Sequence, residues 1–145
     1  MFAYSVAGCR NLEELVDHAN AFYSLFTSDF YWTLERQRND IRLAVHVEPV
    51  LPVDYRFIIV GLLLMSIREF GWLLGEDVQP KSTSFSFHAK DSDQNLGYLF
   101  GSNIEFGSDS NAMRIDRSYG TAALSSNRDL VTSIVNRLTA GAVPC

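Results

Sequence analysis

Apolar and polar positions along the chain change period several times, and each change marks an element. In "NLEELVDHANAFYSLF", Leu12, Leu15, Val16, Ala19, Phe22 and Phe26 recur at helical spacing and predict one apolar helix face. Asn11, with Glu14 three residues later, gives this helix a capping-box-like start. The period then drops to two. Ile41, Leu43, Val45 and Val47 alternate with Arg42, Ala44, His46 and Glu48, as in a half-buried strand. Folding the preceding segment back at "RN" sets Leu34 opposite Leu43, Trp32 opposite Val45 and Phe30 opposite Val47, with Glu35 facing Arg42 on the other side. One register satisfies both faces, so the segment reads as a hairpin.

Pro49 and Pro52 end that strand, and Asp54 is placed to cap a helix that runs to about Leu74 and stops at Gly75. Its stretch "FIIVGLLLMSI", Phe57 to Ile67, is 11 residues without a charge, closed by Arg56 and Arg68. A membrane span needs about 20 apolar residues, so this reads as a core helix. Being apolar nearly all round, it is expected to be covered on more than one side, by the sheet and by a second layer or a partner subunit. "STSFSFHA" alternates again, with Thr83, Phe85, Phe87 and Ala89 on one face and Ser84, Ser86 and His88 on the other. A short helix from about Ser92 to Phe100 follows, stopped by Gly101. "NIEF" and "NAMRID" read as two short strands joined by "GSDS". Ser126, with Asp129 three residues on, starts a last helix bearing Leu130, Ile134 and Leu138. The order is α-β-β-α-β-α-β-β-α, which predicts an α+β domain with a mixed, largely antiparallel sheet and packed helices.

Composition narrows the function more than the fold. A net charge of -5 over 145 residues argues against a surface that neutralises nucleic-acid phosphates. Length and the lack of linkers point to a single domain over residues 1–145. The start "MFAYSVAGCR" lacks the basic-then-apolar pattern of a signal peptide, and the expectation is a cytoplasmic protein. Cys9 and Cys145 leave a disulfide open but make no disulfide scaffold; free thiols in a reducing compartment are the simpler reading.

The chain offers little reactive chemistry. His18, His46 and His88 are the only histidines, and no two stand three or four apart or beside a cysteine, so no metal or other cofactor is expected. "KDSDQN" and "GSDSN" each resemble a fragment of a calcium loop without its spaced ligands or closing Glu. Gly101 and Gly107 precede strands rather than a helix, so they read as turn residues and not as a phosphate cradle. No Ser lies in G-x-S-x-G and Cys9 has no nearby partner in sequence to act as its general base, so catalysis is not expected. Aromatics stand out instead: 10 Phe, 6 Tyr and 2 Trp. Trp32 and Trp72 are candidate walls of a small-molecule pocket, and Tyr31, His46 and His88 are candidate polar groups to orient a ligand.

"LFGSNIEFGSDSNAMRIDR" followed by "ALSSNRDLVTSI" resembles the closing region of the arabinose-binding-type effector domain of AraC-family transcription regulators. The shared features are Phe100-Gly101, Phe106-Gly107, Asn111-Ala112, and then Leu124, Asn127 and Leu130. Upstream, "AYSVAGCRNLEELVDHANAFYSLF" is similar to the family's first helical segment, and the resemblance runs from about residue 3 to 138. Ala123 stands where the family often has Pro, and "CRN" replaces a Ser-Pro-Thr helix start. The resemblance implies a non-enzymatic module that binds a small-molecule effector and controls a helix-turn-helix DNA-binding domain; the all-round apolar helix from Asp54 and the last helix, with Leu130, Ile134 and Leu138, motivate the idea of a homodimer. No such DNA-reading segment lies within the 145 residues, so the expectation is a fragment of a longer regulator. Two other readings stay open: a small cytoplasmic enzyme using His46 or His88 as general base, and a pure oligomerisation domain.

Overall fold

The computed structural model describes residues 9–48, 55–120 and 136–137. Helix α1 spans Leu12–Ser24, and the Asn11 side chain accepts from the Glu14 amide at 2.9 Å. The Glu14 carboxylate reaches back one residue further than a strict capping box, accepting from the Arg10 amide at 2.8 Å. Leu12, Leu15 and Val16 are buried and Phe22 half-buried, whereas Phe26, placed on the same face by periodicity, lies beyond the helix end and is exposed.

Strands β1 (Phe30–Arg36) and β2 (Asp40–Val47) form the antiparallel hairpin in the register the alternation predicts, with Trp32 opposite Val45, Leu34 opposite Leu43 and Glu35 opposite Arg42. Strands β3 (Ser82–Phe85), β4 (Ile104–Phe106) and β5 (Asn111–Asp116) complete a five-stranded sheet in the order β1-β2-β5-β3-β4. All neighbours are antiparallel except β3 and β4. β4 and β5, adjacent in sequence, thus lie on either side of β3. The turn between them uses Gly107 at φ 68°, a left-handed conformation that favours glycine, and a side chain there would meet the His88 ring.

β3 is shorter than its alternation suggests. The Ser86 amide donates to the Asn111 side chain at 2.7 Å and the Ser108 amide takes the Phe85 carbonyl at 3.0 Å, so the chain leaves the ladder after Phe85. The short-helix segment divides into a 3-10 turn over Asp91–Asn95 and helix α3, Leu96–Phe100, ended by Gly101 at φ 82°.

Helix α2 spans Tyr55–Leu74 and ends at Gly75, φ 68°. By length and apolarity alone it is sufficient to cross a membrane, at 20 residues and a mean hydropathy of 1.9. Here it is a core helix: Ile59, Leu63, Ile67, Phe70, Leu73 and Leu74 are buried in one cluster with Leu12 and Leu15 of α1 and with Leu43, Val45, Met113, Ile115 and Phe85 of the sheet. Covering on more than one side is not complete among the described residues, because Phe57, Gly61, Arg68 and Trp72 form an exposed stripe. Arg56 ties the start of α2 to the segment after β3: it pairs with Asp93, donates to the His88 carbonyl at 2.9 Å and stacks over the Phe87 ring at 4.4 Å. That contact holds the Asp93 carboxyl below the usual carboxylate range.

The architecture is α+β, with the described helices packed on a mixed, mostly antiparallel open sheet. The cap expected at Asp54, and the last helix's start at Ser126 with Leu130, Ile134 and Leu138, lie outside the described residues; Asn136 and Arg137 are helical.

Candidate functional site

Trp32 sits where α1, α2 and the hairpin meet. The alternation of β1 turns its indole inward, and it is 4% exposed. Its Nε1 donates to the Ser66 hydroxyl at 3.1 Å, and that hydroxyl donates to the Leu62 carbonyl one helical turn back at 2.7 Å. β1 is an edge strand, so on its outer side the Trp32 amide and carbonyl have no ladder partner. Asn20 of α1 supplies one for each: its Oδ1 accepts from the Trp32 amide and its Nδ2 donates to the Trp32 carbonyl, both at 2.8 Å. The Tyr23 ring lies 5.5 Å from that of Trp32 and 5.7 Å from that of Phe30. Helix, strand and indole are therefore fixed by hydrogen bonds as well as by packing.

These groups border a small, partly open cavity lined by Leu15, Ala19, Tyr23, Trp32, Ser66 and Glu69, among others. Its volume, about 20 Å³, is room for one water molecule. Glu69 and Met65 line this cavity and also an open groove of about 340 Å³ on the outside of α2, completed by Arg68 and Trp72. The inner cavity and the outer groove are therefore adjacent, sharing Met65 and Glu69, and together they make up the candidate cleft. Burial pushes the Glu69 carboxyl up to about 7. The Tyr23 hydroxyl is raised too, first by burial and then by the Glu69 charge.

Of the aromatic and histidine candidates, only Trp32 and Trp72 border this cleft, one inside and one outside. Tyr31 and His46 come together on the opposite face of the sheet, rings stacked at 4.6 Å and 12°, with the Thr33 hydroxyl 2.9 Å from His46 Nε2. His88 falls beyond the end of β3, exposed, beside Gly107. Sequence reasoning missed Glu69, Ser66 and Asn20. The available signal was a carboxylate and a hydroxyl inside "LLLMSIREFGW", where an apolar helix face leaves few reasons for either.

A second concavity, about 340 Å³, lies on the open face of the sheet, bounded by Arg42, Arg114, Glu105, Asp109 and several serines. Arg42 donates to Ser110 at 2.6 Å, approaches Glu35 at 3.7 Å, and stands directly across the ladder from Arg114. Among the described residues no three His, Cys, Asp or Glu come together as a metal site.

The model of a protein family described as the arabinose-binding domain of AraC transcription regulators, N-terminal, matches residues 1–124. The chain belongs to this family. The matched span takes in every described strand, helices α1 to α3 and the described residues of the Trp32–Glu69 cleft. Comparison with curated protein sequences gives no significant match. As an AraC-type arabinose-binding domain, the chain is a ligand-binding domain of the transcription-regulation class.

Proposed function

We propose that this domain senses a small cytoplasmic metabolite in the cleft between α1, α2 and the β1–β2 hairpin, and passes its occupancy to an attached helix-turn-helix DNA-binding domain. Residues 1–145 act on this reading as a single effector-sensing unit of a longer regulator. The observation that carries it is the cleft itself. It is the place where this ligand-binding domain sets a buried hydroxyl, Ser66, and a half-buried carboxylate, Glu69, among aromatic walls. At about 20 Å³ the inner part admits only one small group. A larger ligand must lie in the outer groove or part α1 from α2. Either way it favours one arrangement of the two helices over another, which is the differential contact a switch requires.

Dimerisation belongs to the same proposal. The exposed Phe57–Gly61–Arg68–Trp72 stripe of α2 is the surface best suited to a second copy, and sedimentation at tens of micromolar should show a dimer that Phe57→Glu weakens.

A thermal-shift panel of sugars, amino acids and aromatic acids tests sensing. A ligand at a hundredfold excess over its Kd stabilises by about 2.7 kcal/mol, or about 5–10 °C in Tm for a domain of this size. A saturable shift that quenches Trp32 fluorescence supports the reading. No shift from any compound at millimolar concentration overturns it.

A further inference from the structure

We propose that the cleft recognises a ligand through a primary ammonium group, with Glu69 as its counter-ion and aromatic rings as its walls. This rests on the sensing role proposed above and adds the chemical class of the ligand.

The argument begins with what each polar group of the cavity already does. Trp32 Nε1 is bound to Ser66, and Ser66 is bound in turn to Leu62. The backbone polar groups of Trp32 are taken by Asn20. Glu69 differs: its carboxylate has no hydrogen-bond or ion-pair partner among the described residues, although it lines both the inner cavity and the groove outside it. A half-buried carboxylate without a partner is costly, and proteins retain such groups chiefly where something else satisfies them. Its surroundings say what that something is. Tyr23, Trp32 and Phe70 line the inner side and Trp72 the outer, and aromatic faces attract cations.

Size then selects among cations. The inner volume of about 20 Å³ suits one water-sized group, and a primary ammonium is that size whereas a trimethylammonium is not. The body of the ligand would lie in the outer groove against Met65 and Trp72. Arg68 borders that groove, so a second positive charge on the ligand is disfavoured and a neutral or carboxylate-bearing body is preferred.

The ionisable and charged groups facing Glu69 are Tyr23 from α1 and Arg68 on α2, while the sheet contributes Trp32 and Leu43, which do not ionise. Tyr23 is raised, away from neutral pH, by burial and then by the Glu69 charge. Glu69 itself, pushed up to about 7, changes state near neutral pH. Ammonium binding should strengthen as pH rises from about 6 to 8, as Glu69 loses its proton and a primary amine keeps its own.

The test is calorimetry at pH 8 with phenethylamine, its neutral isostere 2-phenylethanol, and phenyl-substituted trimethylammonium as the bulky cation. Phenethylamine is expected to bind at least tenfold tighter than either, with affinity falling as pH drops to 6. A carboxylate–ammonium contact is generally strong enough for about a 10–100-fold effect. Glu69→Gln should remove that preference and its pH dependence. Because the substitution relieves a buried carboxylate, the Tm of the empty domain at pH 8 should not fall. Equal binding of amine and alcohol, or undiminished amine binding to Glu69→Gln, overturns the ammonium assignment. If no amine binds while a sugar or aromatic acid gives a saturable shift, the assignment fails and the sensing role stands. If nothing binds, both fail.

Discussion

The two faces of the sheet obey different rules although they are made from the same strands. On the helix-covered face β2 presents Ile41, Leu43 and Val45, all buried, against Ile115 and Met113 of β5. On the other face it presents Arg42, Ala44 and His46, and Arg42 meets Arg114 squarely across the ladder. Like charges directly opposite one another are unfavourable, yet water screens them at the surface, whereas the covered face has no such recourse. There each polar atom needs a protein partner. Ser66 and Trp32 satisfy each other, but the Thr83 hydroxyl is buried with no partner among the described residues. Burial, more than residue type, sets what a substitution costs.

The sharpest way to break that comparison is a pair of aromatic truncations, one on each face. Phe85 is fully buried and its ring meets those of Phe87, Phe100 and Phe106. Phe85→Ala should cost about 3–5 kcal/mol in urea unfolding, through lost transfer energy and the cavity left behind. Tyr31 is aromatic too, but 48% exposed and stacked only on His46 on the open face. Tyr31→Ala should cost less than about 1.5 kcal/mol. Similar losses from the two would mean that the open face is covered in solution.

The next effect is smaller and of opposite sign. Thr83→Val keeps the shape of a side chain that is 2% exposed and removes a hydroxyl that pairs with nothing described. Losing an unsatisfied buried polar group should stabilise the domain by about 1 kcal/mol, read as a higher urea midpoint at unchanged slope. A loss instead would show that the hydroxyl is satisfied, for example by a buried water.

The same contrast explains what could be read from the residues in advance. Strand alternation reports which face a side chain takes, so the β1–β2 register and its inward residues were legible. It says nothing about which strand lies beside which. The placement of β3 between β4 and β5 is a long-range choice, visible only when Phe85, Phe106 and Met113 are seen to share one face. Alternation also limits the candidate site, because neighbours on a strand point to opposite sides. Tyr31 and Trp32 could not both border one cleft on a sheet face, and the structure puts Tyr31 with His46 and Trp32 with Ser66. Glu69 was harder to foresee. In an almost wholly apolar helix the pattern does not reveal which side faces the sheet, so a carboxylate near its end reads as solvated until α1 is seen to lie against it.

The smallest effect probes the open face itself. Arg42 has Glu35 at 3.7 Å and Ser110 at 2.6 Å, but Arg114 is exposed, and the charge directly opposite it is that of Arg42. Arg114→Gln keeps most of the side-chain length and removes one member of the like-charged pair. In low salt it should leave stability unchanged or raise it by up to about 0.5 kcal/mol, and the gain should vanish at 0.5 M NaCl as screening takes over. Wherever an acidic surface covers this face in solution, the sign reverses: the substitution then destabilises, and added salt destabilises the unsubstituted domain in the same way. The salt dependence of one surface arginine thereby reports whether the open face meets water or a partner.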